Sequence, residues 1–179
     1  MRRVIEILPL SAAVRAEISV PGSKSITNRA LVLAALGRGR TELRHALWSE
    51  DTQVMVDCLR RLGFRMEIAA DKTEPGNRHI SVEGRGGAIP VAGTDSKPLE
   101  LFVANAGTAA RFLAALVCLG PGVYRLTGVE RMHQRPQAAL FKSLRQLGYR
   151  VESPNDRLPA IIHGEGPKQG KCAFFAVSS

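Results

Sequence analysis

"LRRLGFRME" (Leu59–Glu67) and "LRQLGYRVE" (Leu144–Glu152) are nearly one string written twice. In each, a helix-period segment ends on Leu-Gly, an aromatic residue follows, and the pattern changes to alternation. That order describes an amphipathic helix, a glycine stop and a strand. Working outward, "LGRGRTEL" (Leu36–Leu43) matches "LGPGVYRL" (Leu119–Leu126), and further back Ser25 falls on Thr108. The chain therefore holds one architectural unit in two copies.

Each copy reads as polar loop, apolar helix, Leu-Gly-x-Gly turn, strand, loop, amphipathic helix, Leu-Gly-aromatic turn and strand. The first helices are expected over Ser25–Leu36 and Thr108–Leu119, ended by Gly37 and Gly120. Strands follow at Thr41–His45 and Val123–Thr127. The second helices are expected over Thr52–Leu62 and Arg135–Leu147, ended by Gly63 and Gly148, with Pro136 in a first turn that needs no N–H. Arg65–Ala69 and Arg150–Ser153 read as strands, as do Ile80–Glu83, Ala160–His163 and Cys172–Val177. Ala70–Arg78 and Pro154–Leu158 are turn-rich. The unit is βαβαββ-like, an α/β pattern in which helices cover sheets.

Composition narrows the function. The chain has 179 residues, 45% hydrophobic and 23% charged, as in a globular protein with a real core. No apolar run approaches the roughly 20 residues of a membrane span. "MRRVIEILPLSAAV" imitates a signal peptide, but Glu6 and Pro9 interrupt it and it alternates like a strand. Cys58, Cys118 and Cys172 are odd in number and widely spaced, which suits buried reduced thiols of a cytoplasmic protein and neither a metal site nor a disulfide framework. The net charge of +9 favours anionic partners. With aromatics at 5%, scattered cations and no nucleic-acid-binding signature, small phosphorylated or carboxylated substrates fit better than nucleic acid.

The polar loops that open the two apolar helices carry the chemistry. A helix start offers free N–H donors and partial positive charge to a phosphate or carboxylate. In "PGSKSITNR" Gly22 permits close approach, Lys24 adds a point charge, Ser25 a hydroxyl, and Arg29 a planar fork. In "NAGT" Gly107 and Thr108 stand at the equivalent place. The plainer alternative is that Ser25 and Thr108 only cap their helices. Two copies of the arrangement, together with the excess of cations, favour binding. The first loop is no P-loop, because Ser23 separates Gly22 from Lys24 and Glu17 stands where that motif needs glycine. A third basic group is "ERMHQRP", with Arg131 and Arg135. Its counterpart "WSEDTQ" carries Glu50 and Asp51, which fit as first-turn acids.

"PGSKSITNRALVLAAL", "LFVANAGTAARFLAAL" and "RMHQRP", with "SEDT" between the first two, resemble the 5-enolpyruvylshikimate-3-phosphate synthase family along essentially the whole chain. The resemblance implies an enolpyruvyl transferase (inside-out barrel) fold of two lobes, each of three βαβαββ units. On that pattern Met1–Val20 belongs with the second lobe, and residues 21–179 hold two units of the N-terminal lobe and the start of a third. The implied reaction transfers the enolpyruvyl group of phosphoenolpyruvate to the 5-hydroxyl of shikimate 3-phosphate, with no metal or organic cofactor, in a cytoplasmic monomer that needs neither nucleic acid nor membrane. Lys24 would contact both substrates and stabilise charge at the reacting centre. Ser25, Arg29, Ser178 and Ser179 would hold shikimate 3-phosphate. Gly107 and Arg131 would hold phosphoenolpyruvate, supported by Asn105, Thr108 and Arg135. The family's acid–base carboxylates would come from the second lobe, so the 179 residues alone are expected to be inactive. Ala104, His133 and Phe112 depart from the family pattern, which more commonly has Gly, Lys and Pro there. Two other readings stand beside this one. The UDP-N-acetylglucosamine enolpyruvyl transferase shares the fold but resembles G-A-K-N at the first loop and uses a loop cysteine. A non-catalytic anion-binding half-protein is the other.

Overall fold

The computed structural model describes residues 5–6, 8–9 and 12–173. The first copy contains α1 (Lys24–Leu36), β1 (Arg38–Leu47), α2 (Glu50–Arg61), β2 (Met66–Ala70) and β3 (Asn77–Arg85). The second contains β4 (Leu99–Phe102), α3 (Gly107–Leu116), a 3-10 turn (Val117–Leu119), β5 (Pro121–Thr127), α4 (Glu130–Gln134), α5 (Ala138–Gln146), β6 (Arg150–Glu152) and β7 (Ala160–Glu165).

The repeat persists in the topology. One sheet runs β1-β3-β2 and is antiparallel throughout. The other runs β4-β5-β7-β6, in which β5, β7 and β6 repeat that order and β4 adds a parallel edge to β5. Gly63 (φ 89) and Gly148 (φ 87) stop the second helices in the left-handed region that glycine enters without steric cost. Each aromatic after these glycines, Phe64 or Tyr149, is buried, and so are Leu59 and Leu144 of the duplicated string. That is why the string is kept in both copies: its leucine and aromatic are core and its glycine is the turn. The core is continuous across both copies, with Leu31, Leu59 and Ile80 in the same cluster as Leu113, Leu126 and Phe141. Burying each such side chain is worth about 1.5–3 kcal/mol. Helices α1 and α3 pack on one another, and α2 packs on both.

Several expectations need correction. The helix expected over Arg135–Leu147 is α5 alone, which begins only at Ala138, and a short helix, α4, precedes it across the break at Arg135–Gln137. Arg135 is extended (φ -77, ψ 135) because the Pro136 ring disfavours helical backbone in the residue before it. Pro136 therefore breaks the chain path and lies outside α5. The first helix of the second copy stops at Leu116, and Gly120 follows a 3-10 turn. Gly37 ends α1 with ordinary extended backbone (φ -64, ψ 178) rather than as a left-handed cap. Strand β4 was missed, since "LELF" is too short to show a period. Cys58 and Cys118 are buried, but Cys172 is exposed. Of the strand expected over Cys172–Val177, residues 172–173 are in no strand and the remainder lie outside the described residues, as do Ser178 and Ser179. The described part of Met1–Val20 contains no paired strand. Among the described residues no helix is long and apolar enough to cross a membrane.

Candidate functional site

Helices α1 and α3 begin without a side-chain cap: their N-cap residues are Ser23 and Ala106, and neither makes a capping hydrogen bond. Ser25 and Thr108 are the second residues inside their helices, not caps. Helix α2 behaves differently. Ser49 and Thr52 close it with a reciprocal capping box. The "SEDT" stretch thus satisfies its own helix start, while the two glycine-bearing loops leave their first N–H groups open to a ligand.

The first mouth reaches the second through Lys24, while Gly22, Ser23 and Ile26 line a separate pocket beside β1. Lys24 of α1, Asn105, Gly107 and Thr108 at the start of α3, and Arg135 beyond α4 line one cavity of about 280 Å3. Glu50 and Asp51 of α2 and Arg111 of α3 complete the wall. Lys24 Nζ lies 3.2 Å from Asp51 Oδ2. Arg135 reaches back across the α3 mouth and donates through Nη1 to the Asn105 carbonyl at 3.1 Å. Its guanidinium covers Gly107 so closely that a Cβ there would lie 2.5 Å from Nη2. Only glycine leaves both the arginine in place and the helix N–H groups accessible. Arg111 Nη1 approaches the Gly107 carbonyl at 3.4 Å. A small phosphate or carboxylate in this cavity would meet helix N–H groups, a point charge and a planar cation together.

The loop before α3 is turned by Ala104, which is buried and has φ 43. Where the family more commonly has glycine, alanine holds a left-handed backbone at a cost of roughly 1–2 kcal/mol. The surroundings enforce it: the Ala104 carbonyl accepts from Val129 N–H at 3.1 Å, and Ala106 N–H donates to Val103 at 2.9 Å. His133, the second departure, does not line the cavity. Its Nε2 accepts from the Gly128 N–H at 3.2 Å and lies 3.2 Å from the Thr127 hydroxyl, pinning the turn between β5 and α4.

Of the residues expected in the site, the structure brings together Lys24, Asn105, Gly107, Thr108 and Arg135. Ser25, Arg29 and Arg131 do not line this cavity, and Arg29 and Arg131 are exposed. Asp51, Glu50 and Arg111 were missed as wall residues. The acids were read as first-turn residues, which they also are. Arg111, the one cation in α3, was a signal left unused. Among the described residues no group of three or more His, Cys, Asp or Glu side chains is placed to hold a metal ion.

This is the α/β enolpyruvyl transferase type of fold with an anion-suited cavity between two helix mouths. Its relatives agree. The fold resembles the solved EPSP synthase of Acinetobacter baumannii, with a TM-score of 0.70 at 23% identity over 86% of this chain and 33% of that one. The family model for EPSP synthase (3-phosphoshikimate 1-carboxyvinyltransferase) matches residues 10–179, and the chain belongs to that family. Proteins named 3-phosphoshikimate 1-carboxyvinyltransferase are 43% identical over 163 residues in Trichormus variabilis and 45% identical over 163 residues in Vibrio campbellii. In both, the match covers 90% of this chain and 36% of the relative, so the chain spans about a third of its relatives' length.

Proposed function

We propose that this chain supplies the phosphate-gripping part of an enzyme that transfers the enolpyruvyl group of phosphoenolpyruvate to the 5-hydroxyl of shikimate 3-phosphate. The observation that carries the reading is the meeting of Lys24 from the first helix and Arg135 at the uncapped start of α3 in one cavity. Both substrates are phosphorylated acids, and such a cavity suits groups of that kind. The hydroxyl gives its proton to a base as its oxygen adds to C2 of phosphoenolpyruvate, and C3 takes a proton from an acid. The tetrahedral adduct then expels phosphate while C3 returns a proton, so the enol ether and inorganic phosphate leave together. Lys24 stabilises the negative charge that moves toward the departing phosphate. The Gly107 N–H holds phosphoenolpyruvate in the cavity, with Asn105, Thr108 and Arg135 in support, and Arg131, which stands outside the cavity wall, is assigned to the same substrate. Ser25 and Arg29 hold shikimate 3-phosphate together with Ser178 and Ser179, which lie outside the described residues.

The acid and base for these proton transfers are assigned to chain beyond the 179 residues, and so is a third unit of the lobe. The exposure of α1 supports that unit. Ile26 and Leu33 are 62% and 69% exposed, whereas their equivalents in the second copy, Ala109 and Leu116, are buried. A third helix packed on α1 would cover them as α3 is covered here. The enzyme is read as a cytoplasmic monomer. The test is phosphate release by the chain extended to the length of its relatives. Release is expected only with both substrates present, and the 179 residues alone should release none. Release with phosphoenolpyruvate alone, or none with both, ends the reading.

A further inference from the structure

A side chain outside the cavity is tied to the loop that opens α1. Asn77 opens β3 and is buried, with 4% of its surface exposed. Its Oδ1 accepts the Gly22 N–H at 2.9 Å, two residues before Lys24. Asn77 is itself fixed, for its own N–H donates to the Glu74 carbonyl at 2.9 Å and it pairs with Leu47 across the sheet. A second tie runs the other way, from the Leu47 N–H to the Thr27 hydroxyl at 3.0 Å. Gly22 fits into this corner because it has no side chain. A Cβ there would overlap the His45 carbonyl and lie 3.0 Å from the Leu47 nitrogen. The His45 carbonyl reaches that place because His45 has φ 53 at the bulge where the β1–β3 register shifts between Leu43 and Ala46. The Asp71 carboxylate, 2.7 Å from His45 Nδ1, holds the bulged residue's ring.

We infer that Asn77 is a positioning residue for Lys24: through the Gly22 N–H it clamps the first loop to the sheet edge and so aims the α1 mouth into the cavity. This rests on the reading of that cavity as a phosphate site. Without the amide oxygen, the Gly22 N–H loses its acceptor, and the tie from Leu47 to Thr27, inside α1, remains. Misplacement of a binding group by about 1 Å can cost on the order of 10²-fold.

The experiment uses the chain extended to its relatives' length, with inorganic phosphate as the calorimetric probe and hydrogen exchange of the Gly22 amide as a second readout. Asn77→Ala is expected to weaken phosphate binding about tenfold, a change of 1.4 kcal/mol, and to speed Gly22 exchange while the bulk of the core stays protected. Asn77→Asp keeps an acceptor and should restore slow exchange. Gly22→Ala, which pushes the loop off His45 from the other side, should reproduce the loss of affinity. Phosphate affinity unchanged in Asn77→Ala, or Gly22 exchange as fast in Asn77→Asp as in Asn77→Ala, overturns the inference. Failure of the wild type to release phosphate from the two substrates, with phosphate binding and the Asn77 effects intact, would sink the functional reading and leave the inference standing.

Discussion

Lys24 Nζ sits 3.2 Å from Asp51 Oδ2, with side-chain exposures of 57% and 25%, so the cation at the α1 mouth already has a partner in the wall of the same cavity. An exposed pair of this kind adds about 0.2–1 kcal/mol to stability. Its larger consequence is competition, since an incoming anion must share Lys24 with Asp51. Asp51→Asn is therefore expected to leave the thermal midpoint within a few degrees and to tighten inorganic phosphate binding several-fold at low ionic strength. Calorimetry decides, and weaker binding would mean that Asp51 instead holds Lys24 in place. Lys24→Ala should remove both phosphate affinity and phosphate release.

Gly107 and Arg135 make a second, steric prediction. A methyl group at residue 107 would lie 2.5 Å from Arg135 Nη2, so Gly107→Ala must displace the guanidinium from the Asn105 carbonyl. Phosphate affinity should fall about tenfold or more with little change in folding, because the clash falls on the far end of a movable side chain. A displaced Arg135 with undiminished affinity would remove that arginine from the binding account.

The thiols should separate by burial. Desolvation pushes the Cys58 and Cys118 thiols up to about 12, which keeps them protonated and unreactive. Cys172 is exposed. A thiol reagent at pH 8 should therefore label Cys172 promptly in the native protein, and label Cys58 and Cys118 only after denaturant is added. Prompt labelling of all three would contradict the core.

Asp71 gives the pH dependence. The Thr73 hydroxyl, then the Thr73 N–H, and after them the Glu74 N–H and His45 hold its carboxyl well below the usual carboxylate range. A carboxyl depressed in the folded state stabilises the fold above its unfolded pKa, about 3.9, and that contribution is lost as pH falls from there through the folded value. The urea midpoint should drop between pH 5 and pH 2, and Asp71→Asn should flatten the drop. The same bond holds His45 at the bulge beneath Gly22, so acid should also loosen the first loop before the core unfolds.

The duplicated leucines test whether the two copies fold together. Leu59→Ala and Leu144→Ala each remove a buried side chain, and each is expected to cost about 2–5 kcal/mol. Because one cluster spans both copies, a single unfolding transition should shift in either variant.

Local chemistry made much of this protein legible in its sequence. The string Leu59–Glu67 and its copy Leu144–Glu152 revealed the repeat, and the left-handed Gly63 and Gly148 stand where the helix stops were expected. Lys24 and Gly107 were recognisable as helix-mouth residues because spacing to an apolar helix is a short-range property. The Pro136 break was within reach too, since the rule for a residue before proline needs only the two neighbours.

Relationships between residues far apart in the chain were decided by the tertiary structure. That Asp51 would turn toward Lys24, that Arg135 would lie over Gly107, and that Asn77 would hold Gly22 depend on how α1, α2, α3 and the sheet edges pack. Side chains record their own helix or strand period in the sequence, but not the partner that packing brings to them across the core. The sequence by itself determined the repeated unit and the two glycine-bearing helix starts, and packing of the two copies on one core determined that Lys24 from the first reaches the cavity at the second.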